Sequence, residues 1–363
     1  MKEFIGEIIK KHFGDKAQVI FDKSDIIRYI DLKSSAILGN SKTRKSLGNI
    51  YVIYSLLHFY LQDNYFGKPE EYKKFGGYSF TKLLSFCRTL YGGEKLQNHS
   101  FNSRLNSEFA NKSVCKDNHG KDLVIIDNGK YALHIDYLYV DGKDISKVIY
   151  EIIDKYMVLL QIKDVNLINE LELLSKAEND DEKRNRILTL LNETAEARIF
   201  EIISYAVLKN YYKNKTIFIG TSRNNVKEEI LKLYKTGRTN ANDGGIDFVM
   251  RPLGRFFQVT EVDNYDKYLL DMDKVLHFPI TFVIKTSKSH DTVKNEINKY
   301  IERKSGGMAI VKERYNQAIE EIITINELVK WFVSLDKNAV NSIFQDIILY
   351  YRIEMNFFDT ADE

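Results

Sequence analysis

The spacing of apolar and polar residues predicts that the first half of the chain is mainly helical. Apolar residues recur at helical intervals over 49–63, 79–91 and 94–109, and Ser79 is placed to cap the second of these segments. A fourth helix is predicted over 144–176. No internal repeat or low-complexity tract interrupts this pattern, so the elements must be assigned one by one.

A β-hairpin is predicted after the third helix. The apolar runs 122–127 and 130–140 flank Asn128-Gly129, and Asn-Gly between two such runs is a strong hairpin signal. The predicted order is two helices, then a polar helix and then a hairpin. This is the order of elements in a winged helix-turn-helix domain. Gln, Asn and Arg side chains can read base edges with paired hydrogen bonds. The residues of the polar helix expected to contact DNA are Lys95, Gln97, Asn98, His99, Asn102, Arg104 and Asn106.

The second half of the chain mixes strands and helices. The charged run 177–186 is the predicted boundary between a domain over 1–180 and a domain over 181–363. Beyond it, helices are predicted over 187–213, 224–235, 290–303, 313–321 and 326–356, and strands over 216–220, 278–286 and 308–311. A second hairpin lies at the centre of this domain, so the class is α/β with a mixed sheet.

That second hairpin, NDGGIDFVMRPLGRFFQVTEV from 242 to 262, holds acid and amide groups inside apolar runs. If Met250 pairs with Arg255, Asp247 lies opposite Gln258, and Thr260 shares their face. A loop one residue longer or shorter would instead bring Val259 and Glu261 to that face. Both registers stay open, as does a structural role for Asp247. Such oxygen-rich groups suit Mg²⁺.

This hairpin resembles the PD-(D/E)XK nuclease superfamily, which includes most type II restriction endonucleases. The resembling parts are the helix ARIFEIISYAVLKNYY, the segment GGID and the strand RFFQVTE, within a core from Glu193 to about Thr286. The resemblance implies that Asp247 binds metal and that Gln258 replaces an acid, as in some branches of the family. It also implies a helix acid, for which Glu201 is the first choice and Glu196 the second.

The chain departs from the family pattern at Thr260, where the family has a lysine. Lys285 on the third strand or Lys235 before the hairpin could supply the missing amine. Glu261 could supply a carboxylate in the alternative register. Arg238 and Asn240, just before the hairpin, are further candidates for DNA contact.

The resemblance implies metal-assisted hydrolysis of phosphodiester bonds. Asp247 and Glu201 would hold Mg²⁺, with the Val259 carbonyl as a further ligand. The expected protein is a type II restriction endonuclease that acts on double-stranded DNA, as a homodimer if its site is two-fold symmetric. The alternatives are a non-catalytic winged-helix DNA-binding protein with a degenerate nuclease domain, and a nuclease of the same superfamily acting in repair or on branched DNA.

Composition narrows these expectations only slightly. The 53 Lys and Arg residues nearly balance the 51 Asp and Glu residues, which neither requires nor excludes nucleic acid. Two cysteines, Cys87 and Cys115, provide neither a disulfide framework nor a zinc set. The longest apolar run, 51–61, is too short to span a bilayer. We expect a soluble cytoplasmic protein.

Overall fold

The structure is a computed structural model, and it describes residues 1–35, 47–94, 96, 101, 103–111, 121–237, 246–261 and 265–355. Among the residues predicted to contact DNA, those outside the described residues are Lys95, Gln97, Asn98, His99, Asn102, Arg238 and Asn240. The chain divides into two compact units, Met1–Val165 and Asn166–Glu363. The division falls inside a helix and precedes the charged run 177–186, part of which forms a helix of its own.

The first unit combines helices with short strands. Its helices are α1 (Glu3–Phe13), α2 (Ala17–Lys23), α3 (Asp25–Lys33), α4 (Leu47–Gln62), α5 (Pro69–Tyr72), α6 (Phe80–Thr89), α7 (Ser103–Asn111) and the start of α8 (Ser146–Lys176). Its strands are β1 (Tyr78–Ser79), β2 (Val124–Asp127), β3 (Lys130–Leu133), β4 (Tyr139–Val140) and β5 (Lys143–Asp144). Strands β1, β3 and β2 form one antiparallel sheet in that order.

Several predictions for this unit are confirmed. The Ser79 hydroxyl caps α6 by accepting from the Lys82 N–H. Asn128 and Gly129 join β2 to β3 with φ of 48° and 73°, the left-handed values that a tight hairpin turn requires. The second strand is shorter than predicted, because a 3₁₀ turn, Ile135–Leu138, follows it.

The second unit is built around a five-stranded mixed sheet. Its helices are the end of α8, α9 (Asp180–Leu190), α10 (Ala197–Tyr212), α11 (Tyr265–Lys274), α12 (His290–Lys304), α13 (Ala309–Gln317), α14 (Ile325–Val333) and α15 (Lys337–Met355). Its strands are β6 (Thr216–Ser222), β7 (Asn225–Ile230), β8 (Lys232–Lys235), β9 (Phe248–Arg251), β10 (Arg255–Thr260), β11 (Ile280–Ile284) and β12 (Ile319–Thr324).

The order in this sheet is β12-β11-β10-β9-β8. Strands β10, β11 and β12 are parallel, whereas β8, β9 and β10 are antiparallel neighbours. Strands β6 and β7 form a separate two-stranded ribbon. Within the described part of the chain, no helix is long and apolar enough to cross a membrane.

Alternate residues of the sheet face two different cores. Phe248, Phe257 and Val283 pack with helices α10, α14 and α15 on what we call the α10 face. Phe282 and Ile284 pack with helices α11 and α12 on the α11 face. The side chains that a strand residue can contact therefore depend on which of these two faces it belongs to.

Five element predictions for this unit are wrong in whole or in part. The helix predicted over 326–356 is divided into α14 and α15, and the one predicted over 313–321 ends at Gln317, after which β12 begins. The helix predicted over 187–213 is divided into α9 and α10. The helix predicted over 224–235 is instead the strands β7 and β8, in which buried Leu231 and Leu233 flank exposed Lys232. The strand predicted over 308–311 overlaps α13, and the edge strand of the sheet is β12 further along the chain.

Candidate functional site

The central hairpin adopts the first of the two registers considered. Arg255 pairs with Met250 and Phe257 with Phe248, across a four-residue loop. The next position in this register places Asp247 opposite Gln258, and the Asp247 N–H donates to the Phe257 carbonyl at 3.0 Å. Since Phe257 belongs to the α10 face, Gln258 and Thr260 belong to the α11 face, while Asp247 lies just before the start of β9.

The Asp247 carboxylate lies where β9 and β10 separate. Its Oδ2 accepts a hydrogen bond of 2.7 Å from the Val259 N–H, which ties the start of one strand to the other. The neighbouring Val259 carbonyl accepts a bond of 3.2 Å from Gln258 Nε2. Asp247 therefore has a structural role in the hairpin as well as the proposed chemical one.

Gln258 and Thr260 are buried, and each has a side-chain oxygen without a hydrogen-bond partner in the described part of the chain. Their side chains are 6% and 3% exposed. Gln258 Oε1 and Thr260 Oγ1 have no hydrogen-bond partner within the described residues. An unsatisfied buried polar atom costs about 1–3 kcal/mol, so native proteins seldom keep one without a ligand or another compensating gain. These two oxygens lie two residues apart on one strand and therefore share one face of the sheet.

Glu201 lies on the α10 face with Lys235. Helix α10 presents the Glu201 carboxylate to Lys235 at the end of β8, and Lys235 Nζ lies 2.5 Å from Glu201 Oε1. Both side chains are buried. A cavity of about 320 Å³ opens beside Lys235 and is lined partly by Tyr205, Tyr234 and Tyr350. The pair is thus a buried ion pair at the edge of a cavity.

Lys285 also lies on the α10 face, and Glu261 meets it there. The Lys285 amine donates to Glu261 Oε1 at 2.6 Å and to the Ala195 carbonyl at 2.9 Å. Glu261 is therefore not in the patch of Asp247, and the register that would have placed it there is wrong. The amine instead connects the end of β10 with the loop that precedes α10.

Sequence reasoning missed a role for Glu193 in this loop. The Glu193 carboxylate accepts from the Ser287 N–H at 2.6 Å and from the Thr286 hydroxyl at 3.2 Å. These bonds, the one from the Ser287 N–H foremost, hold the pKa of Glu193 below its usual value. Glu196, the second choice for the helix acid, is buried at the N-cap position of α10. The only indication of this role in the sequence is that two acids, Glu193 and Glu196, stand close together before the helix.

The candidate donor set at the hairpin fits Mg²⁺ in chemical type. Asp247, Gln258 and Thr260 offer a carboxylate, an amide oxygen and a hydroxyl, and Mg²⁺ often takes one or two carboxylates together with water or phosphate. Within the described ranges, however, no three His, Cys, Asp or Glu side chains are grouped closely enough to hold a metal. In the structure, Glu201 is paired with Lys235, and the Asp247 carboxylate accepts from the Val259 N–H.

Two predicted DNA contacts on α7 fall within the described residues. Arg104 is exposed. Asn106 is partly buried, and its amide bonds the backbone of Val124 twice: Nδ2 donates to the carbonyl at 2.8 Å, and Oδ1 accepts from the N–H at 2.9 Å. Asn106 therefore fastens α7 to β2, whereas Arg104 is available to a partner.

Compared with known proteins, the chain matches no protein-family model and no curated protein.

Proposed function

We propose that the protein is a Mg²⁺-dependent type II restriction endonuclease, which hydrolyses phosphodiester bonds in double-stranded DNA at a specific sequence. The observation that carries the proposal is the pair of buried, unpartnered oxygens of Gln258 and Thr260 beside Asp247. Their register is the one in which the resembling superfamily places a metal-binding Asp opposite an acid or Gln. The order of helix α10 and strands β8 to β10 supports a nuclease domain of that superfamily.

In this proposal, Asp247 and Gln258 hold Mg²⁺, and the Thr260 hydroxyl lies at the lysine position. The metal supplies a Lewis acid for the phosphate and lowers the pKa of a bound water. Thr260 cannot supply positive charge. Lys235 and Lys285 belong to the α10 face, so either lysine would have to reach the phosphate around the strand ends to stabilise the negative charge that develops there. Each lysine is held by a carboxylate, Glu201 or Glu261, which fixes the position of its amine.

The first unit would contribute to DNA binding as a winged-helix-like domain. The sheet order β1-β3-β2, with α6 and α7 inserted between β1 and β2, supports this arrangement. Helix α7, with exposed Arg104, would be the reading helix. A homodimer would match a two-fold symmetric site, since half-sites on DNA mirror the symmetry of the protein that binds them.

A second candidate is a DNA-binding protein whose nuclease-like unit is inactive. Thr260 in place of lysine favours it, as does the lack of a three-acid group among the described side chains. The two candidates differ in one outcome, because only the endonuclease cuts DNA when Mg²⁺ is present.

The test is incubation of the purified protein with unmethylated phage DNA in Mg²⁺ or in EDTA, with two variants in parallel. Asp247→Asn removes the charge of the candidate ligand and keeps an acceptor for the Val259 N–H. Asp291→Asn removes the charge of a carboxylate that is 90% exposed and serves as the matched control. Circular dichroism checks that both variants fold.

We expect discrete Mg²⁺-dependent fragments from the wild type and the control, and none from Asp247→Asn. Binding without cleavage on several DNAs would favour the inactive DNA-binding protein. A smear without sequence preference would favour a repair nuclease. Fragments that persist with Asp247→Asn would show that the metal is held elsewhere.

A further inference from the structure

The ribbon of β6 and β7 is exposed along its whole length. Among the residues that the structure describes, its strands pair only with each other, from Thr216 opposite Ile230 to Ser222 opposite Asn225. From 213 to 230 every residue is exposed except Ile217, which is half-buried. The Leu231 N–H donates to the Lys215 carbonyl at 2.9 Å and closes the base of the ribbon. An isolated two-stranded hairpin is marginally stable in water, so a partner that covers it would stabilise it.

The charge of the ribbon favours a polyanion as that partner. Between 213 and 227 the chain has four cations, Lys213, Lys215, Arg223 and Lys227, and no acid. The two acids of β7, Glu228 and Glu229, come only near its base. The tip therefore carries unbalanced positive charge, although the net charge of the whole chain is only +2.

We infer that the β6–β7 ribbon enters a groove of double-stranded DNA and contacts it through Arg223, Lys227 and the polar residues between them. This inference rests on the proposed function and adds a recognition element to it. The major groove, about 12 Å wide, admits a two-stranded ribbon whose strands are about 4.8 Å apart. Six residues of strand reach about 20 Å, which is long enough to reach base edges.

The side chains at the tip are of the types that read bases. The turn between the strands is Arg223-Asn224, and β7 begins with Asn225. Arg makes paired hydrogen bonds with guanine and Asn with adenine, and both of these positions are exposed. Phe218 and Val226 share one face of the ribbon, and Phe218 is 73% exposed. Apolar side chains in this position can contact thymine methyl groups.

The ribbon joins the sheet at the end away from the candidate site. Strand β8 follows the ribbon directly; its first residue, Lys232, pairs with Arg251, whereas Lys235 pairs with Phe248 beside Asp247. The ribbon would therefore contact the duplex at a distance from the phosphate that is cut. Such a contact would set the sequence preference without taking part in the chemistry.

The experiment measures binding of a labelled 40-base-pair duplex of mixed sequence in EDTA, over a series of KCl concentrations. The test variant is the double substitution Arg223→Gln with Lys227→Gln. The matched control is Lys294→Gln with Arg314→Gln, which removes the same charge from exposed positions of α12 and α13. Sedimentation without DNA gives the molecular mass of each protein.

We expect the ribbon variant to bind roughly tenfold more weakly or worse, and its plot of log affinity against log salt to lose about two units of slope, one for each cation removed from the DNA contact. The control should bind as the wild type does. A ribbon variant with the slope of the control would overturn the inference. So would a loss of affinity accompanied by a halved mass, because the ribbon would then hold a second copy of the chain.

The two proposals can fail separately. If the wild type cuts DNA and the ribbon variant keeps the slope of the control, only the inference about the ribbon fails. If the wild type neither binds nor cuts duplex DNA, both proposals fail.

Discussion

Removal of the Lys235 amine should destabilise the second unit substantially. Lys235 Nζ lies 2.5 Å from Glu201 Oε1, and both side chains are 8% exposed. Lys235→Met keeps an unbranched apolar chain but leaves the Glu201 carboxylate buried without its cation. Breaking a buried ion pair in this way costs about 3–5 kcal/mol, far more than the loss of a surface pair.

The magnitude can be checked with a double-mutant cycle. Glu201→Leu alone should cost a similar amount, because it leaves the lysine buried. The double variant Glu201→Leu with Lys235→Met should recover most of the loss, since replacement of both charges by apolar groups is often close to neutral. For a unit of this size, about 1 kcal/mol shifts the melting temperature by about 2–4 °C, so each single variant should melt about 6–12 °C lower or more.

The assay is thermal and urea unfolding followed by circular dichroism, with Lys294→Met as a control for an exposed lysine. Single variants as stable as the control, or a double variant less stable than either single one, would refute the reasoning. A Lys235→Met protein that keeps its stability but loses DNA cleavage would instead assign the lysine to the reaction.

Three further predictions follow from other contacts. If the Lys285 amine stabilises the phosphate, Lys285→Met should lower the rate of DNA cleavage by about 10²-fold or more. Initial rates are measured at equal folded fraction, and an unchanged rate would exclude this role. Thr324→Val removes the hydroxyl that caps α14 and should cost about 1–2 kcal/mol in urea unfolding; a loss below about 0.3 kcal/mol would contradict the role of the cap. Burial raises the pKa of the Cys87 thiol to about 11, so in a Cys115→Ser background a thiol reagent at pH 8 should react only after unfolding. Rapid reaction of the folded protein would contradict the burial of Cys87.

Local signals predicted the parts of the fold that depend on neighbouring residues. The Asn128-Gly129 hairpin and the Ser79 cap follow from turn and cap chemistry, whereas the register of Met250 with Arg255 is one of two that the sequence leaves open. These features are decided over about ten residues or fewer, and no distant part of the chain is needed to form them.

The helix predicted over 224–235 shows where local reasoning stops. Val226, Ile230 and Leu233 have nearly helical spacing, and the charges between them suit a helix surface. In the structure, β8 pairs along its whole length with β9, from Lys232 with Arg251 to Lys235 with Phe248. That pairing overrides local propensity, because strand preference depends on the neighbours across the sheet.

The sequence indicates which residues belong to the candidate site, but not which of their side chains lie together. Counting along the hairpin leaves two registers open, and the structure adopts the one that pairs Met250 with Arg255. The face of Lys285 depends on the parallel pairing of β10 with β11, and that of Glu201 on the packing of α10. These contacts join segments far apart in sequence, so strand alternation within the hairpin could not reveal them.

The bond from the Lys285 amine to the Ala195 carbonyl affects the order in which parts of the protein fold. It joins residues 90 positions apart, and the adjoining bond to Glu261 requires that β10 and β11 already be parallel neighbours. Contacts with such long sequence separation form slowly, because the entropy of closing the chain is lost before the contact stabilises anything. The lysine should therefore acquire its final environment only at the end of folding, after the hairpin beside it has formed.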